Sequence, residues 1–166
     1  MRRDRLETER LVLRRATMAD LAAVHAMLSD PRATRYWSTP PHEEIGQSRE
    51  WLESMVAADP AVSDDFLIEC EGAVIGKLGC WQIPEIGFLL HSDHWQKGYG
   101  SEAMAAFLDY FSYLSPLSLK ADVDPRNAAS LALLKKHGFY ETERKANTWF
   151  LNGEWCDSIY LALDLA

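Results

Sequence analysis

The sequence predicts a single α/β (α+β) domain: a mixed, mostly antiparallel central sheet of about six to seven strands with about four helices. Three observations predict it. Two hairpin signals, Glu71-Gly72 and Asn152-Gly153, join strand-like runs in antiparallel pairs. Apolar residues recur at helical spacing in four separate segments. Strand and helix alternate as in a parallel sheet only in the stretch after a glycine loop, so a doubly wound fold is not expected. At 166 residues the chain matches one domain, 1–166, with no repeat, low-complexity tract or linker to divide it.

Leu6 to Arg15 contains the alternating run Leu11-Val-Leu13 and reads as a first strand. Thr17 is placed to cap a helix from Met18 to Ser29, with Leu21, Val24, Met27 and Leu28 on one face. A second helix, Glu43 to Ala57, carries Ile45, Leu52, Met55 and Val56 on its inner side. Strands follow at Phe66–Cys70, Val74–Trp81 and Glu85–Leu90. A helix is expected at Ser101–Leu114, a strand at Leu117–Val123 and a helix from Ala128 to His137, closed by Gly138. Trp149–Leu151 and Trp155–Leu163 then bracket Asn152-Gly153. The predicted order is β-α-α-β-β-β-α-β-α-β-β.

The formal net charge is -8, which argues against a protein that coats nucleic-acid phosphate. No stretch has the length and apolarity of a membrane span, and the first residues lack the apolar run of a signal peptide. A cytoplasmic protein with reduced thiols is expected, without nucleic-acid or membrane partners. Cys70, Cys80 and Cys156 are odd in number and widely spaced, and read as buried small hydrophobes.

The chemistry is expected at Trp95-Gln-Lys-Gly-Tyr-Gly-Ser-Glu-Ala103. Gly98 and Gly100 stand between a strand and an amphipathic helix, where backbone N–H groups and a helix N-terminus together suit a phosphate or pyrophosphate. Two readings of the loop compete. Gly98-x-Gly100-x-x-Ala103 matches a dinucleotide fingerprint, with Asp122 near the place of a ribose-binding acid. That reading, an NAD(P)-binding enzyme, suffers from context: the fingerprint should open an early βαβ unit immediately after its strand, and here it follows a hairpin.

The second reading takes both sides of the loop together. Glu85-Ile-Gly-Phe-Leu-Leu-His-Ser-Asp-His-Trp-Gln-Lys-Gly-Tyr-Gly-Ser-Glu-Ala103 resembles the central strand, pyrophosphate loop and helix of the GNAT superfamily of N-acetyltransferases. Asn127-Ala-Ala-Ser130-Leu-Ala-Leu-Leu-Lys-Lys-His-Gly138-Phe139 resembles that superfamily's second signature. The opening Leu6-Glu-Thr-Glu-Arg-Leu-Val-Leu-Arg14, the Trp51 helix and Asn152-Gly-Glu-Trp-Cys-Asp157 are similar to the RimJ/RimL-type branch, whose members acetylate ribosomal-protein N-termini among other amines.

The resemblance implies the GNAT fold and acetyl-CoA as co-substrate. Its pantetheine arm would pair with the free backbone of Phe88, Leu89 and Leu90, and its pyrophosphate with Gln96, Lys97, Gly98, Tyr99, Gly100 and Ser101. Asn127 would bond the pantetheine or the substrate side, and Ser130 would lie near the thioester sulfur. Leu134 occupies the position where many members place a tyrosine acid. Ser130, Tyr160 or ordered water would then protonate the leaving thiolate.

Glu85 is the expected base, and Trp37 the expected wall of the acceptor site, which Glu85 would also line; Tyr36, Trp149 and Trp155 are further candidates for that wall. A lysine-like amine near 10.4 costs about 4.6 kcal/mol to deprotonate at pH 7, whereas an α-amine near 7.7 to 8.0 costs only about 1 to 1.4. His91 and His94 lack a third ligand at a recognisable spacing, so no metal is expected. The expected activity is acetyl transfer to a primary amine (a protein N-terminal α-amine, an amino acid or a small amine) by direct attack in a ternary complex. A catalytically silent acyl-CoA-binding sensor on the same fold is the alternative. A monomer or a homodimer is compatible with the resemblance.

Charge is uneven along the chain. Residues 1–94 hold ten basic and sixteen acidic side chains, residues 95–145 seven and six, and residues 146–166 none and three. Lys97, Lys120, Arg126, Lys135 and Lys136 are expected to serve the phosphates, and the acidic remainder to attract a protonated amine.

Overall fold

The computed structural model describes residues 1–114 and 118–165. Its strands are β1 (Arg5–Glu7), β2 (Leu11–Arg14), β3 (Asp64–Cys70), β4 (Ala73–Gln82), β5 (Glu85–Leu90), β6 (Ser118–Val123), β7 (Tyr140–Leu151) and β8 (Glu154–Asp164). Its α-helices are α1 (Leu21–Leu28), α2 (Ile45–Val56), α3 (Tyr99–Ser112) and α4 (Ala128–Lys136). The eight strands form one sheet in the order β1-β2-β3-β4-β5-β6-β8-β7. Every pairing is antiparallel except β5 with β6.

The differences from the predicted elements have local causes. The expected first strand is two strands, because Thr8 accepts the Leu11 N–H on its hydroxyl and donates its own N–H to the Leu11 carbonyl, turning the chain at Thr8–Arg10. The helix from Met18 begins as a 3-10 turn over Met18–Asp20, where Thr17 and Asp20 form a capping box. On α2, Leu52 is fully buried but Ile45 and Val56 are about half exposed; the inward stripe is Ser48, Leu52 and Met55. β7 starts nine residues before the expected Trp149, in a segment too polar to alternate as a half-buried strand. Leu117, expected to open the strand that forms β6, lies outside the described residues. Both predicted hairpin turns form, with Glu71, Gly72, Asn152 and Gly153 all at positive φ as a two-residue turn of this kind requires.

Helices cover both faces of the sheet. On one side Ala103, Met104, Phe107 and Phe111 of α3 and Leu134 of α4 pack on Leu13, Phe66, Leu78, Ile86, Leu119 and Leu161. On the other, Val24, Met27 and Leu28 of α1 and Leu52 of α2 close over Leu67 and Leu89. Cys80 and Cys156 are buried as expected, while Cys70 is half-buried. Among the described residues, no helix is long and apolar enough to cross a membrane.

α1 and α2 are joined by one polar contact inside their interface. Ser48 Oγ lies 2.8 Å from Nδ1 of His25 and 2.8 Å from Nδ1 of His42, and Ser48 is fully buried. Burial holds His42 below its ordinary value, and repulsion from His25 adds to the effect. Burial lowers His94 and His137 in the same direction. A histidine with a depressed folded pKa is protonated first in the unfolded chain, so stability is full above about pH 6.5 and declines as the pH falls below it. Thermal unfolding is therefore expected at a lower temperature near pH 5.5 than near pH 7.5. His42→Asn should flatten that dependence. An unchanged or higher melting temperature at the lower pH would contradict the sign.

Candidate active site

The site begins where the sheet fails to close. β5 and β6 share the single register pair Glu85↔Lys120, held by Lys120 N–H donating to Pro84 O at 2.9 Å. Beyond that pair β5 has only β4 as a partner. His91 N–H donates to Ile75 O, which makes Gly76↔Leu90 a pair whose own backbone groups point away from each other. Leu90 and Phe88, at the same parity, turn their N–H and C=O toward the opening. Leu89, expected to offer its backbone there as well, instead faces Lys77 of β4, and its side chain is buried under α1 and α2. The Leu90 carbonyl accepts the Trp95 indole N–H at 3.0 Å, which holds the start of the glycine loop against the strand.

The loop itself is built from left-handed backbone. Gln96 has φ +60° and Gly98 φ +80°, and Gly98 caps α3. The N–H groups of Tyr99, Gly100 and Ser101 open the helix and have no carbonyl within it to bond. Such a turn presents donors and the helix dipole to one anion. Lys97 and Tyr99 flank it: the Lys97 carbonyl accepts from Arg10 Nη1 at 2.8 Å, and the Arg10 guanidinium stacks 4.6 Å from the Tyr99 ring centroid. Ser101 Oγ lies 2.9 Å from His137 Nε2, tying the first turn of α3 to the end of α4.

Arg10 is the residue that sequence reasoning missed. Its backbone N–H and Nε donate to the two oxygens of Glu102 at 2.8 and 2.7 Å, and Thr8 Oγ1 donates to Glu102 at 2.6 Å. Burial pushes the Glu102 carboxyl up, but the bonds from Thr8 and Arg10 hold it below its ordinary value. The β1–β2 turn therefore clamps the loop from behind. The only sequence signal was Thr8-Glu9-Arg10 itself, which carried a resemblance without a role.

Asn127 caps α4, its side-chain oxygen accepting the Ser130 N–H at 3.2 Å. Leu134, one turn after Ser130, is fully buried in the core, so no proton donor stands at that position.

The other face of the sheet holds a cleft of about 560 Å3. Glu85, Ile86 and Gly87 of β5 line it on one side of the opening, and Asp122 of β6 with Asp124 and Arg126 beyond its end on the other. Trp37, Trp81 and Trp149 form walls, and Trp149 Nε1 donates to Asp122 Oδ2 at 3.0 Å. Lys77 and Asp65 pair at 2.8 Å in the floor, where burial pushes the Asp65 carboxyl up against the pull of the Lys77 ammonium. Arg126 bonds Asp124 at 2.7 Å and Glu154 at 2.9 Å and holds Asp124 below its ordinary value.

The structure thus brings Glu85 and Trp37 together in this cleft, as the sequence suggested, and adds Asp122, which had been attached only to the dinucleotide reading. Tyr160 sits opposite Asp122 in register, yet it does not line the cleft and its ring lies 5.8 Å from Lys145 Nζ. Ser130 belongs to the helix on the opposite face. Trp155 is exposed against Phe150 at 5.4 Å and forms no wall. Arg126 and Lys120, expected at the phosphates, belong to the cleft side: Arg126 lines the cleft, and Lys120 shares the sheet face of Asp122. Among the described residues no cluster of three or more His, Cys, Asp or Glu side chains is placed to hold a metal ion.

The acetyltransferase (GNAT) domain family model matches residues 10–140. The uncharacterized N-acetyltransferase p20 of Bacillus licheniformis is 31% identical over 144 residues, covering 81% of each chain. The fold is similar to that of RimL, a ribosomal L7/L12 α-N-protein acetyltransferase solved with coenzyme A: TM-score 0.86, 19% identity, 96% of this chain and 97% of that one. It also resembles a spermidine N-acetyltransferase from Vibrio cholerae solved with CoA and spermine: TM-score 0.82, 21% identity, 95% and 97% covered. The chain belongs to the GNAT acetyltransferase family. It is accordingly an acetyl-CoA-dependent N-acetyltransferase, and the dinucleotide reading of the loop falls.

The clamp gives a direct test of the loop. Arg10→Ala frees the Lys97 carbonyl and Glu102 together, and is expected to raise the KM for acetyl-CoA roughly tenfold with little change in kcat. An unchanged KM for acetyl-CoA in steady-state assays would refute the bracing role.

Proposed function

We propose that acetyl-CoA lies along the opening between β5 and β6 and that a primary amine reaches its thioester from the cleft on the opposite face. One observation supports this reading above the others: the cleft is lined by residues of both β5 and β6. In this reading it meets the glycine-loop side of the sheet through the gap those two strands leave.

In this reading the backbone N–H groups of Phe88 and Leu90 face the arm and thioester of acetyl-CoA, and the Gln96–Ser101 turn takes the pyrophosphate. The amine nitrogen attacks the thioester carbonyl carbon, a C–N bond forms, and the C–S bond breaks to release the CoA thiolate. The ammonium proton passes to Glu85, directly or through water. Glu85 lines the cleft at the edge of the opening and forms no salt bridge among the described residues. Ser130, on the first turn of α4, supplies the hydroxyl for the thiolate on the other face. Cys80 is fully buried and burial pushes its thiol up, which removes it as an acyl carrier; Cys156 lines the cleft with its sulfur 3.5 Å from Arg126 Nη2.

The acceptor side is acidic where Glu85 and Asp122 stand, so a protonated amine is drawn in and then deprotonated at the site. The same reading places the protein among monomeric or dimeric enzymes of the cytoplasm, acting on a protein N-terminus, an amino acid or a small amine.

Glu85→Gln keeps the side chain's size and removes its proton affinity. Turnover should fall about a hundredfold while the KM for acetyl-CoA stays nearly constant. Full activity in Glu85→Gln would move the base elsewhere, and Asp122→Asn is the comparison that would locate it.

A further inference from the structure

The cleft discriminates among amines by more than its charge. At Gly87 of β5, the position a Cβ would occupy is 3.7 Å from Trp81 Cδ1, 3.8 Å from Lys77 Nζ and 3.9 Å from Trp37 Cη2. These are ordinary contact distances, all three to side-chain atoms. The missing side chain leaves a slot between two indoles, directly beside the opening. Among the described residues no aromatic ring stacks on Trp37 or Trp81, and the Lys77 ammonium lies 5.8 Å from the Trp37 ring centroid. Trp81 is 55% exposed. Trp37 is seated against the α1 and α2 core, and Trp81, more than half exposed in the cleft, offers a surface for a flat apolar group.

The charges around the slot point to what that group carries. Lys77 is neutralised by Asp65, and Arg126 by Asp124 and Glu154. Glu85 stands two residues along β5 on the same face as Gly87. Continuing the parallel register from Glu85↔Lys120 sets Asp122 level with Gly87 across the opening. The slot is therefore flanked, on the side facing the thioester, by two carboxylates that no cation of the chain neutralises among the described ion pairs. A cavity of about 560 Å3 accommodates a small molecule of this shape.

We propose that the acceptor is an arylalkylamine: an aromatic ring seated between Trp37 and Trp81 over Gly87, with its ammonium at Glu85 and Asp122. This rests on the acetyl-transfer reading above and narrows its substrate. The step is the same. The amine nitrogen takes the acetyl group, the C–S bond of acetyl-CoA breaks, and the amine proton leaves to the carboxylate.

The experiment measures CoA release from acetyl-CoA with tryptamine, phenethylamine, spermidine and a short peptide with N-terminal serine. The aromatic amines should have a kcat/KM at least about tenfold above the other two. Trp81→Ala should lower kcat/KM for the aromatic amines roughly tenfold and leave the KM for acetyl-CoA unchanged. Gly87→Ala, whose Cβ would touch both indoles at ordinary contact distance, should do the same. Spermidine or the peptide matching the aromatic amines overturns the slot and leaves acetyl transfer standing, as does an undiminished rate in both variants. Release with none of the four overturns the arylalkylamine assignment, and acetyl transfer at this cleft falls with it when a panel of free amino acids also releases no CoA while acetyl-CoA still raises the melting temperature.

Discussion

The interaction on which the rest of this protein depends is one that is largely absent: the pairing of β5 with β6. A continuous parallel ladder would satisfy the backbone of Phe88 and Leu90 and seal the sheet. Only Glu85↔Lys120 is formed. The strands on either side are fully paired, β4 with β5 and β6 with β8, so the gap is held open from both flanks and does not collapse. It leaves backbone donors and acceptors of β5 outside any strand ladder, at a break in an otherwise packed sheet. A cofactor and an acceptor can then be bound on opposite sides and meet at one point.

The two faces are specialised in different ways. On the α3 and α4 side the chemistry is carried by backbone, and side chains serve to hold that backbone: Arg10 and Glu102 behind the glycine turn, Trp95 against Leu90, Asn127 at the head of α4. On the cleft side it is carried by side chains, with carboxylates beside exposed indoles. The division explains why the net charge of -8 is compatible with an anionic co-substrate. In the proposed binding mode phosphate is met by amides and a helix terminus, whose partial charges do not enter a count of ionised residues. The expected service of Lys120 and Arg126 to the phosphates is unnecessary, and both belong to the cleft side, Arg126 inside an ion-pair network.

Legibility followed the range of the interactions. The Glu71-Gly72 and Asn152-Gly153 turns, the glycine loop, Asn127 as a helix start and Gly138 as a helix end all depend on neighbours a few residues away, and each was readable. Ile45 and Val56 were misplaced because a helix's apolar count does not say how far its partner extends. β7 was missed over most of its length because an edge strand with polar residues on both sides has no period-two signal. Arg10 was invisible for a related reason: its partners are 87 and 92 residues away in sequence.

The sequence by itself determined the family, the order of most elements and the position of the glycine turn, since backbone conformation at Gly98 and the capping of α3 and α4 are local matters. It also singled out Glu85 and Trp37. Only the tertiary structure decided which backbone groups of β5 are free, because Phe88, Leu89 and Leu90 differ in nothing but their parity against β4. It alone put Asp122 in the cleft with Glu85, separated Tyr160 from Ser130 and set Trp81 and Trp37 on either side of Gly87. Those assignments rest on strand register and on contacts between residues distant in the chain, which a linear pattern does not encode.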